Sequence, residues 1–193
     1  MQGYARRTGF AGSRNYIAVV PTVGCVNEVA RRIAESTEQA RPLLHHQGCC
    51  QLPTDVRIVT DVLTGVCRNS NVAAVVLVSL GCESVNAEDI LRAVIPEKPI
   101  EMVRVQSMGG ITNATEKGIK AVRLLAATLD SERVEVPPSA LVVGIKCGAS
   151  DTTSGLASNT EVGAAEDMLV NAGATVIFGE TTEIIGAENT LGG

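Results

Sequence analysis

Six short stretches of this 193-residue chain collect the side chains that could do chemistry. They read PTVGC (21–25), HHQGCCQ (45–51), SLGCES (79–84), QSMGG (106–110), KCGASDTTSG (146–155) and GETTE (179–183). Thiols, an imidazole, an amine and carboxylates are the usual means of proton transfer and metal binding. Thiolate and imidazole suit iron or zinc better than magnesium. Each stretch also has a plainer reading. A cysteine after a strand is usually a small buried hydrophobe, which is the reading taken for Cys67; Cys25 and Cys50 admit both. Several familiar devices are missing. GITNATEKG lacks the G-K-[ST] ending of a phosphate loop, no G-x-G-x-x-G follows an expected strand, and no C-x-x-C pair exists.

The elements that must position these residues follow from hydrophobic pattern. NYIAVV (15–20), the apolar run NVAAVVLVSL (71–80), EMVRVQ (101–106), ALVVGIK (140–146) and ATVIFGE (174–180) read as strands, with a short one at 41–46. Helical spacing covers 25–37, 54–67, 87–94, 113–129 and 161–171, and Pro96 stops the third of these. Strands alternating with helices predict an α/β fold: a mostly parallel sheet covered by helices on both faces, three-layered and Rossmann-like. Aromatics are only 2% of residues, so Val, Ile, Leu and Ala must build the core, as in sheets buried on both faces. Each of the six stretches falls just after an expected strand, and ligands of open α/β sheets bind outside the carboxyl ends of strands. A single rim is therefore expected, with a domain seam at 130–139. The net charge of −5 without a basic stripe argues against nucleic acid. The opening residues lack an apolar leader, and no apolar run is long enough to span a bilayer, so a cytoplasmic protein without membrane contact is expected.

The same stretches carry a family resemblance. GYARRTGFAGSRN is similar to the Y-x-R-x-D-G-R-x-G-x-R-N block of the altronate and galactarate dehydratase family. PTVGCVN, H-x-x-G-C-x-Q (His45 to Gln51), LGCE (80–83) and Q-x-x-G-G (Gln106 to Gly110) resemble its successive blocks. KCGASDTTSGLASNTEVG resembles K-C-G-G-S-D-x-x-S-G-x-x-A-N-P-x-x-G, and GETTEIIGAE resembles E-T-P-E-x-x-G-A-E. The chain departs from the pattern at Thr8, Phe10, Ala149, Thr160 and Asn189, where the family has Asp, Arg, Gly, Pro and His. The family also includes the large subunit of sulfolactate sulfo-lyase. The resemblance implies that residues 1–135 are a second, central domain. It makes 136–193 the beginning of a C-terminal catalytic domain, with N-terminal and further C-terminal domains, or a partner subunit, supplied separately.

It also implies a hydro-lyase that eliminates water from a sugar acid such as altronate or galactarate, giving a 2-keto-3-deoxy acid. The alternatives are a carbon–sulfur lyase acting on sulfolactate and a non-catalytic subunit. Elimination needs a base for the C2 proton and a Lewis acid to draw electrons into the carboxylate. Ferrous iron or another divalent metal is the implied cofactor, with Cys49, Cys82 and Cys147 as ligands; three thiols also match an iron–sulfur cluster with one open iron. His45, Lys146 and Glu180 are the expected catalytic residues, with Glu183 as a further ligand or proton donor. Arg14 and Asn15 would bind the substrate carboxylate, and Gln106, Ser150, Asp151, Ser154 and Asn159 its hydroxyls. The plain reading of 150–154 is a helix N-cap. A homo-oligomer is the expected assembly.

Overall fold

A computed structural model describes residues 1–130, 132–146, 148–149, 151–180 and 185–191. The chain divides into two compact units, Gln2–Val134 and Met1 with Glu135–Gly193.

In the first unit, β3 (Tyr16–Pro21), β4 (Ala40–Pro42), β5 (Val72–Ser79) and β6 (Ile100–Arg104) form one sheet in the order β4-β3-β5-β6. Every pairing is parallel: Ile17 lies opposite Ala40 and Ala74, and Val75 opposite Ile100. All eight residues of β5 are buried, the signature of a central strand covered on both sides. Alternation then decides what each residue touches. Ile17, Val19, Ala74, Val76 and Val78 pack with α1 (Asn27–Ala34) and α4 (Ile111–Thr128). Ala18, Val20, Val75 and Leu77 pack with α2 (Pro53–Arg68) and α3 (Ala87–Val94). Local chemistry sets the helix starts. Asn86 caps α3 by accepting from the Glu88 amide, and Pro53 occupies the first turn of α2, where its missing N–H costs nothing.

Ile33, fully buried on α1, packs closely against Gly118 of α4. A Cβ on Gly118 of α4 would lie 2.2 Å from its Cδ1. We expect Ile33→Ala to lower unfolding free energy by about 2–5 kcal/mol, because the removed methyl groups leave a cavity that rigid helices cannot fill. Urea denaturation checks this: the midpoint falls while the slope is unchanged.

Some boundaries differ from the sequence expectation. The opening residues form an antiparallel pair, β1 (Gln2–Ala5) with β2 (Ala11–Gly12), where the sequence suggested only a motif. The strand expected at 41–46 is Ala40–Pro42 instead, its last ladder bond coming from the Leu43 amide to the Val19 carbonyl at 3.0 Å. Pro42 has no N–H to extend pairing, and the chain then turns away toward His45. A two-residue strand, β7 (Val134–Glu135), falls at the seam.

The second unit carries a parallel pair, β8 (Val142–Ile145) with β9 (Thr175–Phe178), Val142 opposite Thr175 and Ile145 opposite Phe178. A π-helical turn, Ser154–Ser158, leads into α5 (Asn159–Asn171), and α6 is Glu188–Leu191. No residue of α5 is buried, and Met168, Val170, Ile177 and Phe178 are exposed. No helix among the described residues is long and apolar enough to cross a membrane.

Candidate active site at the carboxyl edge of the sheet

Because β3, β4, β5 and β6 run parallel, the loops that follow them share one edge. Thr22 and Cys25 come after β3, His45 to Gln51 after β4, Gly81 to Glu83 after β5, and Gln106 to Gly110 after β6. Hydrogen bonds knit these loops together. The Gly24 amide donates to the Gln47 carbonyl at 3.0 Å, and the Ser84 amide to the Gly48 carbonyl at 2.9 Å. The Gln106 amide donates to the Leu80 carbonyl, while its side chain lies against Gly81 so closely that a Cβ there would sit 2.6 Å from Gln106 Oε1.

The centre of this edge is Glu83, which belongs to the chemistry-bearing stretch SLGCES but for which the sequence suggests no specific role. Its Oε1 accepts from the hydroxyls of Thr22 and Ser79, both at 2.6 Å, and its Oε2 from the Gly81 amide at 2.5 Å. Thr22 and Ser79 are buried and belong to neighbouring strand ends. Partial burial works against ionisation of Glu83. The hydrogen bonds from Ser79, Thr22 and the backbone outweigh it and hold the carboxyl below its ordinary value of 4.5. Arg104, at the end of β6, donates from Nε to the Ser79 hydroxyl at 3.3 Å and pairs with Glu88. Ser79, Gly81, Glu83, Asn86, Glu88 and Arg104 line a polar depression of ≈ 250 Å³. A second hollow of ≈ 290 Å³ is lined by Gly24, Cys25, Asn27, His46, Gln47 and Cys49.

His45 stands at this edge with both ring nitrogens engaged. Nε2 lies 2.7 Å from the Pro21 carbonyl, which can only accept, so Nε2 carries the proton; Nδ1 accepts from the Gln47 amide at 3.1 Å. In this arrangement the imidazole pins the β4 loop to the end of β3. Cys49 and Cys82 are exposed here, as are Cys25 and Cys50. The neighbouring Cys50 pushes the Cys49 thiol above its ordinary value. Cys67 is core: burial pushes its thiol up to about 12.

Arg14 and Asn15 lie elsewhere. They precede β3 and therefore stand at the amino edge of the sheet, one strand length from the residues above; six residues of strand span about 20 Å. The Asn15 amide is engaged at both ends, accepting from Arg6 at 2.8 Å and donating to the Asp130 carbonyl at 2.9 Å. The backbone of Arg14 bonds to Asn71 and Arg6.

Lys146 and Glu180 follow the paired strands β8 and β9 of the second unit and form an ion pair at 2.9 Å. The lysine side chain is 70% exposed, so the burial that would suit a lysine to proton abstraction is not present there. Asp151 caps the helical segment that starts after it. Its Oδ1 accepts from the Thr153 hydroxyl at 2.6 Å and from the amides of Thr153 and Ser154, and its own amide donates to the Ser154 hydroxyl at 3.0 Å. This reciprocal arrangement is a capping box, the plain reading of that stretch. The hydrogen bonds from Thr153 lead in holding the Asp151 carboxyl below its ordinary value. Asn159 is exposed at the start of α5. Cys147, Ser150 and Glu183 lie outside the described residues.

Comparison with known proteins adds family context. Residues 3–130 match the model for "D-galactarate dehydratase/Altronate hydrolase, second domain", and residues 138–192 that for "D-galactarate/Altronate dehydratase, C-terminal". The chain is 31% identical to the altronate dehydratase of Bacillus subtilis (strain 168), over 98% of its own length and 40% of that protein. It is 36% identical to the (2R)-sulfolactate sulfo-lyase subunit beta of Chromohalobacter salexigens, over 98% and 48%. Identity to the galactarate dehydratase (L-threo-forming) of Escherichia coli (strain K12) is 30%, over 98% and 40%. The chain thus spans less than half the length of these curated relatives.

Proposed function

Since the chain belongs to the D-galactarate dehydratase/altronate hydrolase family, whose second-domain model matches more than half of it, we propose that it is part of a hydro-lyase acting on a sugar acid. The helix pairs flanking the parallel sheet are read as a three-layer, Rossmann-like arrangement. Residues 1–135 would be the second domain and 136–193 the beginning of the C-terminal one, completed by further domains or a partner subunit. The relative named as a subunit, and the limited share of each relative that is spanned, support that assembly.

One observation carries the reading: the carboxyl ends of β3, β5 and β6 meet around an ionised carboxylate, Glu83, with the Arg104 guanidinium bonded to its partner Ser79. Elimination from a 2,3-dihydroxy acid takes the C2 proton and expels the C3 hydroxyl, leaving a 2-keto-3-deoxy acid. At the carboxyl edge, Arg104, on parting from Glu88, would offer planar donors that fit a substrate carboxylate. Glu83 holds the Gly81–Cys82 turn, and Gln106 offers an amide to hydroxyls. Arg14 and Asn15, at the amino edge, would need a different part of the ligand or of the assembly. Proton removal falls to His45, Lys146 or Glu180. His45 would first release the Pro21 carbonyl or the Gln47 amide, and Lys146 would part from Glu180.

Iron or another divalent metal would supply Lewis acidity. Among the described residues no three His, Cys, Asp or Glu side chains converge as a metal site. The oxygens of Glu83 are already engaged. The proposed thiolate set of Cys49, Cys82 and Cys147 therefore depends on a residue outside those described, and no step here runs through a metal.

The sulfolactate reading has the 36% identity in its favour and follows the same elimination, with sulfite as the leaving group. The test is turnover by the enzyme completed with its remaining domains or subunit, offered altronate, galactarate and sulfolactate. We expect keto acid from a sugar acid without sulfite. Sulfite release establishes the second reading. Absence of keto acid from all three makes this a non-catalytic subunit.

A further inference from the structure

We propose that Cys49 and Cys50 form a reversible oxidation site, in which a hydroperoxide converts the adjacent thiols to a vicinal disulfide. It uses Cys49, which the lyase reading offers as a metal ligand, but is carried by the geometry of the thiol pair alone.

Neighbouring side chains on an extended chain point to opposite sides. Here they do not. Cys50 has φ 55, the left-handed region that residues with a Cβ seldom enter. That turn brings the two sulfurs to 3.7 Å, in contact. Both thiols are exposed, so an oxidant of small size reaches them from solvent. The flanking loop is held firmly: Gly48 donates to Gln51 Oε1 at 2.9 Å and its carbonyl accepts from Ser84. The pair is therefore preset rather than a chance approach of two mobile side chains.

The chemistry balances with one hydroperoxide. One thiol attacks the terminal peroxide oxygen, giving a sulfenic acid and an alcohol, or water when the oxidant is hydrogen peroxide. The second sulfur then attacks the sulfenic sulfur. The S–S bond forms, the S–O bond breaks and water leaves with the second thiol's proton. Two electrons pass from the two sulfurs to the O–O bond. Consecutive Cα atoms across a trans peptide are about 3.8 Å apart, closer than the roughly 4.4–6.8 Å usual for a disulfide. The ring is strained, and strained disulfides have the more oxidising potentials and are readily reduced. Reversibility follows from the geometry. Closing the ring removes the Cys49 thiol from the hollow it lines with Cys25 and Gln47.

The test treats the full chain with hydrogen peroxide, alkylates the remaining thiols and maps them by peptide mass spectrometry. We expect the peptide bearing both cysteines to lose the mass of two hydrogen atoms. Both positions should lose alkylation together and regain it with dithiothreitol. In Cys50→Gly, whose new residue suits the positive φ, Cys49 should stop at a sulfenic acid captured by dimedone. The proposal is overturned if either thiol instead joins Cys25, Cys82, Cys147 or a second molecule. It is also overturned if the pair stays alkylatable while other cysteines oxidise, or if sulfinic acid forms in the wild type without the disulfide. Should Cys50→Gly fail to fold, the wild-type peptide map alone decides.

Discussion

Replacing Glu83 by alanine will cost the first unit about 2–4 kcal/mol of stability, since two buried hydroxyls lose a charged acceptor and each unsatisfied group costs roughly 1–3 kcal/mol. The lower part of that combined range applies because Thr22 has a second acceptor, the Val78 carbonyl at 3.3 Å. Glu83→Gln separates charge from shape. The folded carboxyl lies below its ordinary value of 4.5, so the stabilisation it provides is fully present above the unfolded value and fades as pH falls through the folded one. The gap in stability between wild type and Glu83→Gln should therefore be constant near neutrality and shrink below about pH 4.5. Other carboxylates with lowered values, Glu28, Glu88 and Asp151, titrate equally in both proteins and cancel in the difference. Urea titrations across that window measure it; a gap that does not narrow in acid would mean the carboxylate charge contributes nothing.

The second large effect is expected at Gly48. Its φ is 107, and a Cβ there would lie 2.2 Å from the Thr22 carbonyl oxygen and 2.8 Å from Val23 Cα. Both are backbone atoms that cannot rotate aside, so Gly48→Ala must move the β3 or β4 loop. Overpacking costs about 1–3 kcal/mol, and the left-handed conformation adds roughly 1–2 kcal/mol. We expect a total near the upper end of that sum. Gly9→Ala is the internal comparison: φ is 87 there, but nothing lies within 4 Å. Only the conformational part should appear. Equal losses in the two variants would show that the close approach at Gly48 is relieved cheaply.

Much of this architecture was legible in the sequence. The unbroken apolar run of β5 is best read as a central strand, and α3 could be placed to the residue from its apolar spacing and Pro96. Strand-end placement of the reactive residues followed because parallel strands put all their loops at one edge. The same logic, applied to residues ahead of a strand, would have placed Arg14 and Asn15 at the other edge. What stayed hidden depends on contacts between distant segments. The grip on Glu83 needs Thr22, 61 positions earlier, and the pinning of His45 needs the Pro21 carbonyl, 24 positions earlier. Neither leaves a local pattern. Asp151 shows the opposite case. Its capping bonds reach only to Thr153 and Ser154, and capping was a reading open from spacing alone.

The strand order also bears on how the protein is made. Parallel pairing links β3 to β5 and β5 to β6 across long stretches of chain, and such non-local contacts form slowly. All four strands nonetheless lie between Tyr16 and Arg104. A ribosome adds about 5–20 residues per second. The last strand of the sheet, β6, is therefore synthesised seconds before the second unit is complete. Vectorial synthesis thus favours completion of the first unit's carboxyl-edge loops ahead of the second unit.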